Sequence, residues 1–377
     1  MKNTKVTSWD NATASVRELE LPALYPVELP TPRSYISCIS EVADLSSTDP
    51  VCEGGAKENM GECRMTVIDS EVSYLGYPGS EAYGLSWKVR GLCKDLSNLE
   101  LMDEVNVWGD IINSNIHHCW HGAYAYGLQS SVVTMSTFYE NHENGIDMNS
   151  DSDYLTIHNN TVYNNGVNGI ALSGRCDHAT VTSNAVYGNT ENGIRLHQQS
   201  DYGIVTDNLA TANVRAGLSL SNSSHATALH NDLVGNEIGV AAVSASFNTL
   251  SWNAIKYNLA YGLYIYSEPD EVSGELTVSS SNDVWNNTIT GTYRAVRLAD
   301  TDLTYMRGNY FEAELDKGLF LEFNTSTDVF FANNDGVETS PWSGELGTLV
   351  SVQADAKTCF SPGSQPIGPT CSSTPGP

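Results

Sequence analysis

Basic residues are scarce in this chain. Its 377 residues hold 18 Lys and Arg against 45 Asp and Glu, a formal net charge of −27. A surface that grips nucleic acid needs a basic face to meet the phosphates, so the balance argues against a nucleic-acid partner and against docking on anionic lipid. No apolar run approaches the ~18 residues of a membrane span. CxxC pairs are missing, and no cysteine lies near a histidine at zinc spacing, which argues against a structural zinc site. The N-terminus MKNTKVTSWD has no apolar signal region.

What is present is an ordinary core with turn-rich punctuation. Hydrophobic residues make up 40% and charged residues only 17%, so the acid is spread over a globular chain rather than gathered in a tail. Of eight cysteines, Cys38, Cys52, Cys63 and Cys93 fall in the first quarter, where one or two disulfides are expected. Cys359 and Cys371 are spaced to close a C-terminal loop. Sequons begin at Asn11, Asn159, Asn222, Asn286 and Asn324. Together these features read as an extracellular domain whose export signal is not in this sequence.

An internal repeat decides the architecture. A glycine opens a short alternating segment at Gly122, Gly145, Gly169, Gly193, Gly217, Gly239 and Gly262, at intervals of 23, 24, 24, 24, 22 and 23. Asn160, Asn184, Asn208, Asn231 and Asn253 mark a matching turn, and Tyr139, Tyr163 and Tyr187 recur in step. Each unit holds two or three strands of three to five residues and leaves no room for a helix. That pattern predicts an all-β, right-handed parallel β-helix of about 22–24 residues per coil, with eleven or twelve coils. The expected boundaries are an N-terminal cap over 1–63, the β-helix over 64–340 and a tail or linker over 341–377.

Alternation after each repeat glycine sends one residue in and the next out. Ile146 and Met148 point in, with Ile146, Ile170, Ile194 and Leu218 as an internal stack. The outward pairs are Asp147/Asn149, Tyr124/Tyr126, Ala171/Ser173, Arg195/His197, Ser219/Ser221 and Tyr264/Tyr266, with Ser86 and Lys88 in the same phase. Arg175 lies just past the edge of this stripe. Tyrosines and a few cations on one long face of an acidic protein suit a linear sugar-acid polymer. His117, His118 and His121 cluster in NIHHCWHG and read as turn packing. The run Asp147, Asp151 and Asp153 is a candidate calcium site, although it lacks EF-hand spacing. No other cofactor is expected.

At these residues the chain resembles the mannuronan C5-epimerases, the alginate-modifying β-helix enzymes of bacteria and brown algae. EVSYLGYPGSEAYGLSWKVRG at 71–91, GID and DSDYLTIHNNTVYNNG within 145–166, GRC at 174–176 and GIRLH at 193–197 carry the likeness, more so to the algal branch. Where that family has Asp-Pro-His-Asp, this chain has Asp147, Met148, Asn149 and Ser150. A tyrosine that many members carry three residues earlier is Asn144. His142 stands at the offset of a histidine that some bacterial members use. The resemblance implies epimerisation of mannuronate to guluronate in alginate by a monomeric enzyme, since C5 chemistry needs a base, an acid and a cation for the sugar carboxylate. The catalytic candidates are Asp147, His142, His197 and Tyr126. The substrate-binding candidates are Lys88, Tyr124, Asn149, Arg175 and Arg195. Two alternatives stand beside this reading: a non-catalytic alginate-binding wall protein, and a β-eliminating polysaccharide lyase.

Overall fold

The computed structural model describes residues 1–10, 15–16, 32–41, 62–79, 82–90, 106–269 and 274–313, with short pieces at 321–324, 326, 329–332, 334, 350–352 and 358–360. The fold is a right-handed parallel β-helix, as the repeat requires. It comprises two compact units, Met1–Glu191 and Asn192–Pro377.

Three parallel sheets wall the first unit. The first sheet stacks Ile36–Glu41, Gly84–Arg90, His121–Tyr126, Ile146–Asn149 and Ile170–Ser173. A second stacks Val67–Ile68, Ile111–Ile112, Val132–Thr134, Thr156–His158 and Thr180–Thr182. The third runs from Lys5–Thr7 through Glu71–Ser73, Asn115–His117, Thr137–Tyr139 and Thr161–Tyr163 to Ala185–Tyr187. Three-residue strands such as TVY and TVT bury only their middle residue, so each contributes one β-branched side chain to the core. Ile146 pairs with Ile170 and both are fully buried, as the alternation predicts.

Corners are closed by buried amides. The Asn160 backbone N–H and side-chain NH₂ both donate to Asn184 Oδ1 at 3.0 Å, while the same NH₂ reaches Val133 O at 2.8 Å. A second column, Asn141, Asn165 and Asn189, repeats the device at the next corner. The glycine that opens each first-sheet strand is required by close approach: a Cβ on Gly145 would stand 2.8 Å from Gly169 O and from Asn165 Nδ2.

The segment expected as a cap contributes strands in parallel register, Lys5–Thr7 against Glu71–Ser73 and Ile36–Glu41 against Gly84–Arg90. Buried Arg33 holds it, donating to Gly76 O at 2.8 Å and His118 O at 2.9 Å. A Cys38–Cys63 disulfide closes a 25-residue separation and supplies one of the expected N-terminal bridges. Cys119 and Cys176 are buried thiols outside any disulfide. Cys52, Cys93 and Cys371, and the Cys359 side chain, lie outside the described residues, so the C-terminal staple falls there too.

The second unit repeats the plan. Its first sheet stacks Ile194–His197, Ala216–Ser221, Ile238–Val243, Tyr261–Tyr266, Arg294–Ala299 and Leu321–Asn324. Ile194 pairs with Leu218, both fully buried. Its asparagine column runs Asn208, Asn231, Asn253, Asn287 and Asn309. One coil is long: Asn253 and Asn287 are 34 residues apart, and the excess forms an antiparallel hairpin, Glu268–Pro269 against Leu276–Thr277.

Two substitutions test the packing of the first unit. Ile170→Asp buries an unpaired charge and is expected to cost about 3–5 kcal/mol, seen as loss of the cooperative unfolding transition. Asn165→Ala strands the donors of Asn141 and is expected to cost about 1–3 kcal/mol, read from urea midpoints.

Candidate functional site

The first sheet of the first unit presents two outward columns. Register places Tyr124 beside Ser86 on one side and Asp147 on the other, with Ala171 beyond. The neighbouring column is Lys88, Tyr126, Asn149 and Ser173. Five of the expected site residues, Lys88, Tyr124, Tyr126, Asp147 and Asn149, therefore occupy adjacent positions. Asp147 is 5% exposed, far more buried than a solvated surface carboxylate. Asn149 Nδ2 donates to its Oδ1 at 2.7 Å.

His121 supplies the other contact of Asp147. Its Nδ1 lies 3.0 Å from Asp147 Oδ2, close in distance but not aligned as a hydrogen bond. Strict alternation back from Tyr124 would turn His121 inward. A register shift between His121 and Tyr124 breaks that alternation, and the ring packs edge-on against Tyr83 and Tyr124 at 5.4 Å. The reading of His121 as turn packing is thereby corrected. His117 and His118 do sit at a corner, with Glu71 and Glu140 as their acidic neighbours.

Lys88 and the two tyrosines complete the cluster. Lys88 is buried, with Nζ 4.5 Å from the Tyr83 ring centre and 5.8 Å from that of Tyr124. Burial pushes its pKa down to about 8. Burial, and then the Asp147 carboxylate, holds the Tyr124 phenol well above its usual range, so it stays protonated. Tyr126 is raised as well, by burial and by Asp151. Glu143, raised chiefly by burial, feels both His121 and Asp147. A base, a protonated phenol and an ammonium thus share a poorly hydrated patch, which is the equipment for moving a proton next to a carboxylate.

The remaining candidates stand elsewhere. Arg175 is engaged: Nε and Nη2 grip Asp151 Oδ1 and Oδ2 at 2.8 and 2.7 Å. His142 belongs to the turn before the Asp147 strand and lies over Trp120 with ring centres 5.8 Å apart. Burial, then Arg33 and His118, push its pKa down, although its outer edge remains in water, which softens the first effect. Arg195 and His197 lie on the first-sheet strand that opens the second unit, where burial and then Arg195 lower the His197 pKa to about 4. The three carboxylates considered for calcium do not converge. Asp147 serves Asn149 and His121, Asp151 serves Arg175, and Asp153 Oδ1 accepts from the Asp177 backbone at 2.7 Å. Among the described residues no group of three or more His, Cys, Asp or Glu is arranged to hold a metal.

Comparisons with known proteins agree on the architecture. A family model described as a right-handed β-helix region matches residues 101–255 and, overlapping, 174–279. No sequence among the curated proteins matches. The structure is similar to that of the periplasmic alginate epimerase AlgG, with a TM-score of 0.68 and 19% identity, covering 83% of this chain and 69% of that one. It is similar to the A-module of the Azotobacter vinelandii mannuronan C-5 epimerase AlgE6, at 0.52 and 17%, covering 78% and 89%. The catalytic unit of an α-1,3-glucanase from Streptomyces thermodiastaticus matches at 0.50 and 12%, covering 80% and 61%. At these identities the likeness is one of fold, and proteins named for different chemistries share it. Among the described residues no helix is long and apolar enough to cross a membrane.

The Lys88 environment is directly measurable. A side-chain amine resonance titrating near pH 8, absent from Lys88→Arg, is the expected NMR signature. Because the folded pKa is depressed below the ordinary lysine value of 10.5, the unfolded chain binds more protons between about pH 8 and 10.5. The burial penalty is therefore full below pH 8 and is relieved as pH rises through that window. The stability difference between wild type and Lys88→Met should shift in favour of wild type across it, as followed by denaturant midpoints.

Proposed function

We propose that this chain is a mannuronan C5-epimerase that acts on alginate with the outward cluster of its first unit. One observation carries the reading: buried Asp147 stands against His121 on one oxygen and Asn149 on the other, with Lys88 and Tyr124 on adjoining strands. The likeness in fold to AlgG and AlgE6 supports it. The Cys38–Cys63 bridge supports a location in an oxidising, extracytoplasmic compartment.

The steps follow from the residues. The Lys88 ammonium pairs with the carboxylate of a mannuronate residue, which lowers the energy of the enediolate that forms when C5 loses its proton. A small rotation aligns His121 Nδ1–H on Asp147 Oδ2, leaving the Nε2 lone pair as base. Asp147 thus orients the imidazole and stabilises it once charged, while Asn149 fixes the carboxylate. The C5–H electron pair moves into the enediolate and the proton goes to His121. Tyr124 then delivers a proton to the opposite face of C5, and solvent restores both groups. The base comes from the preceding coil, which offsets the replacement of the family's motif histidine by Asn149.

A second reading rests on that replacement. Asn149 cannot shuttle a proton, and its hydrogen bond to Asp147 suits a scaffold that binds alginate without turning it over. Incubating polymannuronate with the protein in heavy water separates the two. Deuterium at C5 together with guluronate signals in the proton spectrum marks the epimerase. Binding without exchange marks the second reading, and absorbance from unsaturated ends would mark a lyase.

For the epimerase, His121→Gln is expected to lower turnover by about 10²–10⁴. Asp147→Asn is expected to abolish turnover without lowering the melting temperature. His142→Gln should leave most activity, because its ring lies over Trp120. Full activity in the His121 variant would remove the assigned base.

A further inference from the structure

The second unit carries a feature that the proposed catalytic cluster does not use. On its first sheet one outward column runs Arg195, Ser219, Ala241, Tyr264 and Arg297. The column beside it runs His197, Ser221, Val243, Tyr266 and Ala299. Small side chains in the middle coils leave a hollow between Arg195 at one end and Tyr266 at the other. This hollow is a cleft of about 430 Å³ whose lining includes Arg195, Arg215, Ser219 and Tyr266. Coils stack at ~4.8 Å, so the three steps from the Arg195 strand to the Tyr266 strand span ~14 Å, the length of a short oligosaccharide rather than a single ring.

The aromatic end is braced. Tyr264 and Tyr266 stack with ring centres 4.1 Å apart and 22° between planes. The Arg297 guanidinium covers the Tyr264 ring at 4.9 Å. Arg297 and Arg294 both donate to the Tyr261 hydroxyl, at 2.9 and 3.0 Å. An aromatic wall held this way meets a sugar face with little ordering left to do. Charge points the same way. In a chain with so few cations, the second unit places Arg195, Arg294 and Arg297 on this sheet and Arg215 in the turn that enters it, while its other arginine, Arg307, pairs with Asp283 away from it. Arg215 is exposed at the cleft, and among the described residues its guanidinium is engaged in neither a hydrogen bond nor an ion pair. Exposed Glu237 and Glu268 also border the cleft. Alternating charge of this kind suits a ligand with one carboxylate per ring over a dense polyanion.

We propose that this cleft is a second, non-catalytic binding site for an acidic oligosaccharide, with Arg195 and Arg215 taking carboxylates and Tyr266 carrying a sugar face. The inference rests on the polyuronate reading above and adds a holding site in the second unit.

Calorimetric titration of the full chain with oligomannuronate of defined length tests it, in an Asp147→Asn background so that the ligand is not turned over. The expected result is binding that weakens about tenfold with Arg215→Gln, further with Arg195→Gln added, and again with Tyr266→Ala. A neutral manno-oligosaccharide of equal length should not bind. Arg215 is exposed, so its variant folds normally and reports on binding alone. Unchanged isotherms in the folded arginine variants, or no binding by the parent, overturn the site. The two readings fail separately. Wild type that takes up no deuterium at C5, yet loses affinity with Arg215→Gln, removes the epimerase and keeps the site. Wild type that exchanges, with KM and affinity unchanged in the arginine variants, keeps the epimerase and removes the site.

Discussion

Each coil finds its backbone partners in the coils above and below, and corners are where that arrangement is hardest to maintain. A parallel ladder pairs strand amides automatically, but a chain turning sharply between three-residue strands leaves corner N–H groups pointing along the stack. The buried asparagines answer this. A side-chain carbonyl one coil away accepts both the backbone N–H and the amide NH₂ of its neighbour, as Asn184 does for Asn160. The spare N–H reaches a strand carbonyl of the coil before. Because an unsatisfied buried donor costs on the order of 1–3 kcal/mol, the column tolerates few substitutes. Ser114 and Ser136, which take over the same role near the N-terminus, are among them.

That rigidity is what makes an outward face chemically useful. Side chains on stacked strands stand at fixed spacing, so Tyr124, Asp147 and their neighbours are held without depending on a loop. Packing them together then alters them. Burial lowers Lys88 towards neutrality while Tyr124 is held protonated, so one patch presents an ammonium near its titration point beside a phenol far from its own. Groups with affinities pushed apart in this way divide acid and base roles between them.

The fold was legible because its constraint recurs: the repeat glycines, the asparagine column and the period-2 alternation each report the same physics at every coil. Inward Ile146 and outward Asp147 follow from that alternation alone. His121 does not, because the irregularity between it and Tyr124 interrupts the very rule used to sort faces. Arg175 falls at the edge of the stripe, and its pairing with Asp151 is legible in the sequence, since the two lie 24 residues apart, one coil's length. The second column, Asn141, Asn165 and Asn189, sits at the same interval and was obscured by the general abundance of asparagine. The parallel pairing of Lys5–Thr7 and Ile36–Glu41 had no such signal, since neither segment shares the repeat.

The uneven coil lengths carry a consequence for how such a chain finds its own alignment. Coils of equal length and similar sequence are interchangeable, and a strand that docks one coil too early would meet nearly the same ladder of partners. Steps of 22 and 24 residues in the first unit, and the step of 34 in the second, spoil that degeneracy. A slipped pairing brings asparagine opposite strand instead of corner and leaves its donors bare. The extra antiparallel pair, Glu268–Pro269 against Leu276–Thr277, therefore works as a punctuation mark, making one stacking order distinguishable from its near copies.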